Sequence, residues 1–511
     1  MSRRRKILIV AGIIFGVAVL IPVIRHYQLC FAVEAYIAEL KAKGEPMELA
    51  QVIPPTVPPE QNGVPFITNA LANLKYESLV GSNPPPAMRA ISFGKAMIGW
   101  QQPDIRSSDG TNNWEDLGRE LATAKSDLDS FQNLTNHPIL DFNLHYQKGF
   151  DVQLPNLASL KRSAQWLSAS AIYDLNQGNP KNACVDVREM LALVKGATDE
   201  RPPISQLVRI AIAAIGASAT WEILQSPDVS DDDLAQLQQD WQSLEYARPL
   251  EKTFEFERFG ELRQFDKTRT ASEEFNKFWG FFYAPDAAVE PELDHIGEPI
   301  RRSLFLRRCD EFRWRWFWSY EDEMYELRSF QVVLKATSMA ETNNSFQTSQ
   351  SFVSSNLVLI QIPSYVRRNP HILIRIGRIK DYGLAAFRKA IKSEAAKNVV
   401  VTAIALKRYQ LRHQKLPSAL QELTPDLVKT IPIDWMDGQP VRYRPNADGT
   451  FLLYSVGEGG VDDGGNPSLE KNVKGSNFYW QSDHALDWVW PQPATAQEIQ
   501  KYYEEQAAKP K

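Results

Sequence analysis

The densest concentration of residues able to do chemistry lies near the end of the chain. Gly457-Glu-Gly-Gly-Val-Asp-Asp-Gly-Gly465 sets three carboxylates among five glycines. No Lys-Ser or Lys-Thr follows, so the loop is not a phosphate cradle. No other stretch carries a recognisable catalytic spacing. The histidines are His26, His137, His145, His295, His371, His413 and His484, and no two stand at a metal-ligand interval such as i, i+4. No Gly-x-Ser-x-Gly elbow and no Ser-x-x-Lys surrounds a plausible nucleophile. Asp231-Asp-Asp233 reads as the first turn of a helix, where carboxylates meet free amides and the positive end of the helix dipole. An enzyme assembled from scattered residues stays open, because catalytic groups converge in space rather than in sequence.

The elements that must position such a site begin with a membrane anchor. Arg3, Arg4, Arg5 and Lys6 precede Ile7 to Ile24, eighteen residues without a charge. As a helix that run spans about 27 Å, close to a hydrocarbon thickness. Arg25, His26 and Tyr27 follow in place of a small-x-small cleavage site, so the expectation is an uncleaved anchor rather than a removed signal peptide. Gln28 and Leu29 are bulky for a lipid-modified Cys30. The basic flank stays cytoplasmic, which places the rest of the chain in the periplasm of a bacterial inner-membrane protein.

The remainder has the composition of an ordinary globular chain, 43% hydrophobic and 23% charged, with a net charge of −5. That charge argues against nucleic acid as an overall partner. Roughly 480 residues suffice for two to four domains' worth of core. Three cysteines define no framework, and pairing of Cys184 with Cys309 stays open against two buried free thiols.

The body reads as helices. A stalk, Phe31 to Lys43, stops at Gly44, and Pro54, Pro55, Pro58 and Pro59 enforce an extended connector within residues 25–60. Helical periods then run over Phe66–Tyr76, Trp114–Asn133, Leu157–Asn176, Lys181–Val194, Ile204–Leu224 and Asp231–Leu244, with loops at Gly81–Pro86 and Gln102–Asn113. Gln177-Gly-Asn-Pro180 is a tight turn between antiparallel helices. An array of helical hairpins and an irregular bundle both fit residues 61–397. Leu250–Phe282 and Ile300–Ala340 are long, charged and aromatic. Within them Phe312-Arg-Trp-Arg-Trp-Phe-Trp318 either meets a membrane interface or forms a core helix whose arginines pair with Glu321, Asp322 and Glu323. Ile376 to His413 forms one long amphipathic helix in a strongly basic stretch. Its partner is expected inside the chain, where residues 416–511 are acidic; anionic headgroups or an acidic protein are the alternative.

A small α+β module is expected at 398–470. Ala419 to Leu423 is a short helix, Thr424-Pro-Asp426 a second helix start, and Asp434-Trp-Met-Asp-Gly438 a turn with Gly438 at positive φ. Val441 and Tyr443 alternate against Phe451, Leu453 and Ser455 across an Asn446-Ala-Asp-Gly449 loop, giving an antiparallel hairpin that must pack on Val399 to Leu411. Residues 471–511 form a tail with a short helix.

The order Tyr409-x-x-x-His413, Leu416-Pro-Ser-x-Leu-x-x-Leu423, Pro432-x-Asp434-x-x-x-Gly438-x-Pro440-x-x-Tyr443, Leu453-Tyr-Ser-x-Gly457 and then an acidic glycine loop resembles the C-terminal half of the major pseudopilin of type II secretion, over about 70 residues. The layout as a whole also resembles single-anchor bacterial envelope proteins. The pseudopilin resemblance implies a calcium ion held at the final loop, by the carbonyls around Val456 and Gly457 and the carboxylates of Asp462 and Asp463, with Glu458 adjacent; position 459 is Gly where that family places Asp. No acid lies between Ser2 and Arg25 to match a pseudopilin leader. The expected fold is thus mainly α with a small C-terminal α+β module and one transmembrane helix. The expected function is a non-enzymatic, membrane-anchored periplasmic interaction or scaffold protein with an envelope protein as partner. An envelope enzyme with a groove between body and cap, or a secretion-system accessory, is the alternative.

Overall fold

The computed structural model describes residues 3–75, 78–106, 110–275, 304–360, 370–470, 480–482 and 484–508. Arg3–Ala42 forms one helix, α1, 40 residues long and continuous through Pro22. It is long and apolar enough to cross a membrane, with a mean hydropathy of 2.2 over its apolar window, and none of that window is buried against protein. Beyond it α1 docks: Val33 and Leu40, with Met47 just past its end, pack with Leu262, Met324 and Leu327. Gly44 ends the helix in the left-handed region, and residues 54–58 run extended as the prolines require.

The body is built from α2 (Val64–Asn73), α3 (Trp114–Asp129), α4 (Asn156–Asn176), α5 (Pro180–Gly196), α6 (Pro203–Leu224), α7 (Asp231–Gln242) and α8 (Ala247–Thr270). Each helix of the periodic series appears within a few residues of its expected bounds. The local chemistry explains the ends. Asn113 Oδ1 accepts the Asp116 amide at 2.7 Å to start α3, and Ser230 Oγ accepts the Asp233 amide at 3.1 Å to start α7. Pro180 sits in the first turn of α5, where a missing N–H costs nothing. α6 also has the length and hydropathy of a membrane span, but 61% of its window is buried between neighbouring helices, so it is a core helix.

After α8 come α9 (Leu304–Arg313), a π-helical turn over Trp314–Trp318, α10 (Ser319–Asn343), α11 (Phe346–Leu359) and α12 (Pro370–His413). The expected helix Leu250–Phe282 therefore stops at Thr270, with 276–282 outside the described residues. The expected Ile300–Ala340 helix is divided by the π turn, with 300–303 also outside them. α12 packs across α6, α7, α8 and α10, which makes the body an irregular bundle about one long helix rather than a regular hairpin array.

Two three-stranded sheets and two two-stranded ones, Ile105–Arg106 with Thr111–Asn112 and Ile433–Asp434 with Gln439–Pro440, complete the fold among the described residues. β1 (Arg89–Ser92) and β2 (Lys95–Met97) form a hairpin in a region without a strand pattern. β3 (Arg442–Pro445) pairs antiparallel with β4 (Phe451–Ser455), with Tyr443 opposite Leu453, as the alternation requires. β5 (Trp488–Val489) adds a third strand on β4, and β6 (Gln492–Pro493) lies parallel to β2. The last helix, α13 (Ala496–Ala507), opens on a Thr495–Glu498 capping box. Thr424-Pro-Asp426 starts no helix; a turn follows, and the short helix before it is a 3₁₀ turn at Leu420–Leu423. One hydrophobic core runs from Ile67 through α4–α7 and α12 to Trp490, so the C-terminal strands and the helices share it.

Buried polar groups tie remote segments to this core. Arg209, 1% exposed, donates to the carbonyls of Val194 at 2.7 Å and Glu245 at 3.2 Å. Glu222, wholly buried on α6, accepts the amides of Met88 at 2.7 Å and Gly99 at 3.0 Å; burial pushes its carboxyl up to about 8. Glu394 of α12 accepts the amides of Tyr246 at 2.7 Å and Ala247 at 3.1 Å, at the start of α8, and pairs with Lys397 at 2.5 Å. Glu394→Ala frees two buried amides and leaves the Lys397 ammonium only the Leu244 carbonyl, at 2.9 Å. Its expected cost is about 3 kcal/mol or more, read as a lowered unfolding midpoint of the full-length protein in detergent; an unchanged midpoint would show that water replaces the clamp.

Candidate functional site

The C-terminal loop is organised by Asp434 and Arg442. Asp434 is wholly buried and accepts the Met436 amide at 3.0 Å, the Val456 amide at 2.9 Å and Ser455 Oγ at 2.8 Å. Burial raises its carboxyl above the usual range, against the pull of those donors. Arg442 contacts Asp434 at 3.3 Å, Asp437, and Asp462 at 3.4 Å. Asp462 also accepts the Tyr454 hydroxyl at 2.8 Å and the Gly464 amide at 3.0 Å. Partial burial would raise its carboxyl, but these donors and Arg442 hold it below the usual range. Asp487, wholly buried beside β5, accepts the amides of Gly465 and Asn466, each at 2.9 Å, and that of Asp463 at 3.5 Å.

The residues offered to calcium therefore stand as follows. Glu458 pairs with Lys392 of α12 at 3.0 Å, and its carbonyl accepts Gln347 Nε2 at 2.7 Å. Asp462 faces Arg442, and Asp463 enters the Asp487 cradle through its amide. The Gly457 carbonyl accepts the Gly460 amide at 3.3 Å. Gly460 takes a φ of +64°, and a Cβ there would lie 2.4 Å from Gln347, so the close approach and the turn both require glycine. Gly438 takes the expected positive φ, +80°. Among the described residues no group of three or more His, Cys, Asp or Glu side chains is placed to hold a metal ion. The donor set does not fit a calcium loop, because a guanidinium already stands among Asp434, Asp437 and Asp462.

The other motif positions join the 3₁₀ turn to the strands. Tyr409 donates to Glu422 at 2.5 Å and Tyr443 donates to the Pro417 carbonyl at 2.8 Å. The Ser418 and Tyr409 hydroxyls hold the Glu422 carboxyl down at about 2. The basic face of α12 finds internal partners: Arg408 and Arg412 both reach Asp231 of α7, at 2.8 and 2.6 Å, and Lys392 reaches Glu458. Cys30, Cys184 and Cys309 are free thiols.

A different surface has the features of a binding site. A groove of about 500 Å³ follows α5, walled by Phe131, Leu134, Leu191, Glu189, Lys195 and Asp240. It adjoins a second hollow of about 350 Å³ along Lys181, Cys184 and Asp233, with Val185 and Arg188 common to both. Arg188 bridges α5 to α7 through Asp240 at 2.6 Å and Gln236 at 2.6 Å. Glu189 is 7% exposed, and among the described residues no donor reaches its carboxyl. Burial, with Asp186 nearby, pushes it up to about 9. It lies on a helix buried over most of its circumference, and the sequence pattern did not single it out. The hint was there: Met190 to Val194 is an unbroken apolar run, so α5 has apolar residues on more than one face.

Among the described residues no histidine lines either hollow. His137 stacks on Phe66 at 4.1 Å, His413 lies over Tyr409 at 4.2 Å, and His26 contacts Trp316. His295 lies outside the described residues. Comparison with protein-family models, with curated proteins and with solved structures finds no match to this chain.

Two outcomes are expected. Arg442→Ala leaves buried Asp434 beside two further carboxylates and costs about 2 kcal/mol or more, whereas calcium and chelator give the same thermal midpoint in the parent; an ion-dependent rise would restore a calcium site. Glu189 has a sign that can be checked. Below about pH 4.5 it is protonated folded and unfolded. As pH rises the unfolded carboxyl ionises first, the folded state holds the extra proton, and stability falls until about pH 9. Glu189→Gln should therefore gain on the parent with rising pH, on the order of 3 kcal/mol at neutral pH, in melts taken across that range. A constant difference between the two proteins would mean that the carboxyl is solvated.

Proposed function

We propose that this chain is a single-pass bacterial inner-membrane protein whose body lies in the periplasm and binds an extended segment of an envelope polypeptide along α5, without catalysing a reaction. The observation that carries the reading is Glu189, 7% exposed as a residue, whose carboxyl stands on the wall of a groove with apolar residues around it. A groove with apolar walls and a polar group set in them suits a ligand that covers the walls and hydrogen-bonds to the carboxyl. The two joined hollows run from Lys181 to Lys195, about 21 Å along a helix. That length suits about six residues of extended chain better than a compact molecule. The basic residues before the apolar stretch of α1 support the orientation, by the positive-inside bias. In this reading the pseudopilin-like strands brace α12 and take no part in a fibre.

The test places a photo-crosslinking residue at Gln132 or Lys195, both on the groove, or at Glu505 on α13, in the full-length protein in cells. The groove positions should give one shared polypeptide adduct, Glu505 should not, and Glu189→Leu should weaken the adduct about fivefold or more. Equal labelling from all three positions, or substrate turnover by the purified protein, overturns the reading.

A further inference from the structure

The aromatic-basic run and the apolar helix meet at one level. The charge-free stretch of α1 ends at Ile24. Two residues on, about 3 Å further along the axis, His26 Nδ1 lies 3.0 Å from the Trp316 carbonyl, and the two rings are 4.7 Å apart. Arg25 pairs with Glu321 at 3.3 Å. From this point α10 runs beside α1 in the same direction: Tyr320 lies 5.3 Å from His26, Arg328 sits over Tyr36 at 5.9 Å, and Gln331 reaches Glu45 at 3.5 Å. Only the π end of α10 is therefore level with the end of the apolar stretch.

The π turn sorts the rings of that end. Ser319 N–H returns to the Trp314 carbonyl, five residues back. Trp314 turns inward, donates to Asp322 at 2.9 Å and stacks with Phe265 at 6.2 Å. Phe312, Trp316 and Phe317 turn outward, 56%, 38% and 36% exposed, and form one patch with ring centroids about 6 Å apart. Tyr27 and Phe31 of α1, beside it in height, are exposed as well. Arg308 and Arg313 are exposed on the same arm. Rings of this kind beside cationic side chains, at the end of a membrane-crossing stretch, have the composition of a headgroup-level belt.

We propose that Phe312, Trp316 and Phe317 seat in the headgroup–acyl boundary of the bilayer that α1 crosses, as a second membrane contact beside the anchor. The proposal rests on reading α1 as an anchor, and the experiment separates the two. Nitroxides are placed one at a time at Phe15, Phe317 and Glu505 of the full-length chain carrying Cys30→Ser, Cys184→Ala and Cys309→Ser. The protein is reconstituted in phosphatidylethanolamine–phosphatidylglycerol vesicles, and collision with oxygen is compared with collision with a water-soluble nickel chelate. The expected result is an oxygen-to-nickel ratio highest at position 15, intermediate at 317 and several-fold lower at 505. A ratio at 317 equal to that at 505, or shielding of 317 from both probes, overturns the seat while position 15 keeps the anchor. A water-like ratio at 15 overturns both. A second readout leaves the cysteines alone: brominated lipid should quench the parent's tryptophan fluorescence more than that of Trp316→Phe, and equal quenching overturns the seat.

Discussion

Buried carboxylates that accept loop amides are the interaction on which the remaining structure depends. Irregular backbone pressed against a core must find partners for its N–H groups, and a carboxylate offers enough lone pairs to take several at once. Glu222 holds the β1–β2 segment through Met88 and Gly99; Glu394 holds the start of α8; Asp434 and Asp487 hold the C-terminal loop through Val456, Gly465 and Asn466. Each clamp joins segments far apart in sequence, so the small sheets are fastened to the helices by ionisable side chains as well as by apolar packing. The strands alone are too short to hold themselves, since β5 and β6, which close the two three-stranded sheets, are two residues long each.

The same chemistry explains why Glu189 differs from Glu222. Both are carboxyls buried on helices, and burial raises both. Glu222 is surrounded by amides of its own chain, which makes it structural. Glu189 has the burial without the amides and opens on a groove. Nothing in their types or local spacing separates them; the difference lies in what the tertiary fold brings opposite each one.

Much of the helical framework was legible because amphipathic spacing is local. The α4–α5 hairpin, the acidic start of α7 at Asp231 and the β3–β4 register are each specified within a few residues. β5 and β6 were not, because two residues carry no period and their partners, Tyr454 and Lys95, lie far away in the sequence. The C-terminal stretch read as a tail is bound into the core by Trp221, whose indole donates to the Pro491 carbonyl at 2.8 Å. At the acidic loop the clustered acids were visible, but the cation among them was not: Arg442 lies on a strand twenty positions before Asp462. The acids Glu321, Asp322 and Glu323 are indeed used, by Arg25, Trp314 and Arg269 among others.

α1 has no hinge between its exposed apolar stretch and the part docked on α10. Helices adjust to bilayers of different thickness chiefly by tilting. A jointed anchor would absorb that tilt in its linker. Here the lever is a single rod clamped to the body through Val33 and Leu40. With α1 as the proposed anchor, membrane thickness becomes a mechanical input: a thinner bilayer leans the rod, and the groove along α5 changes its bearing by the same angle.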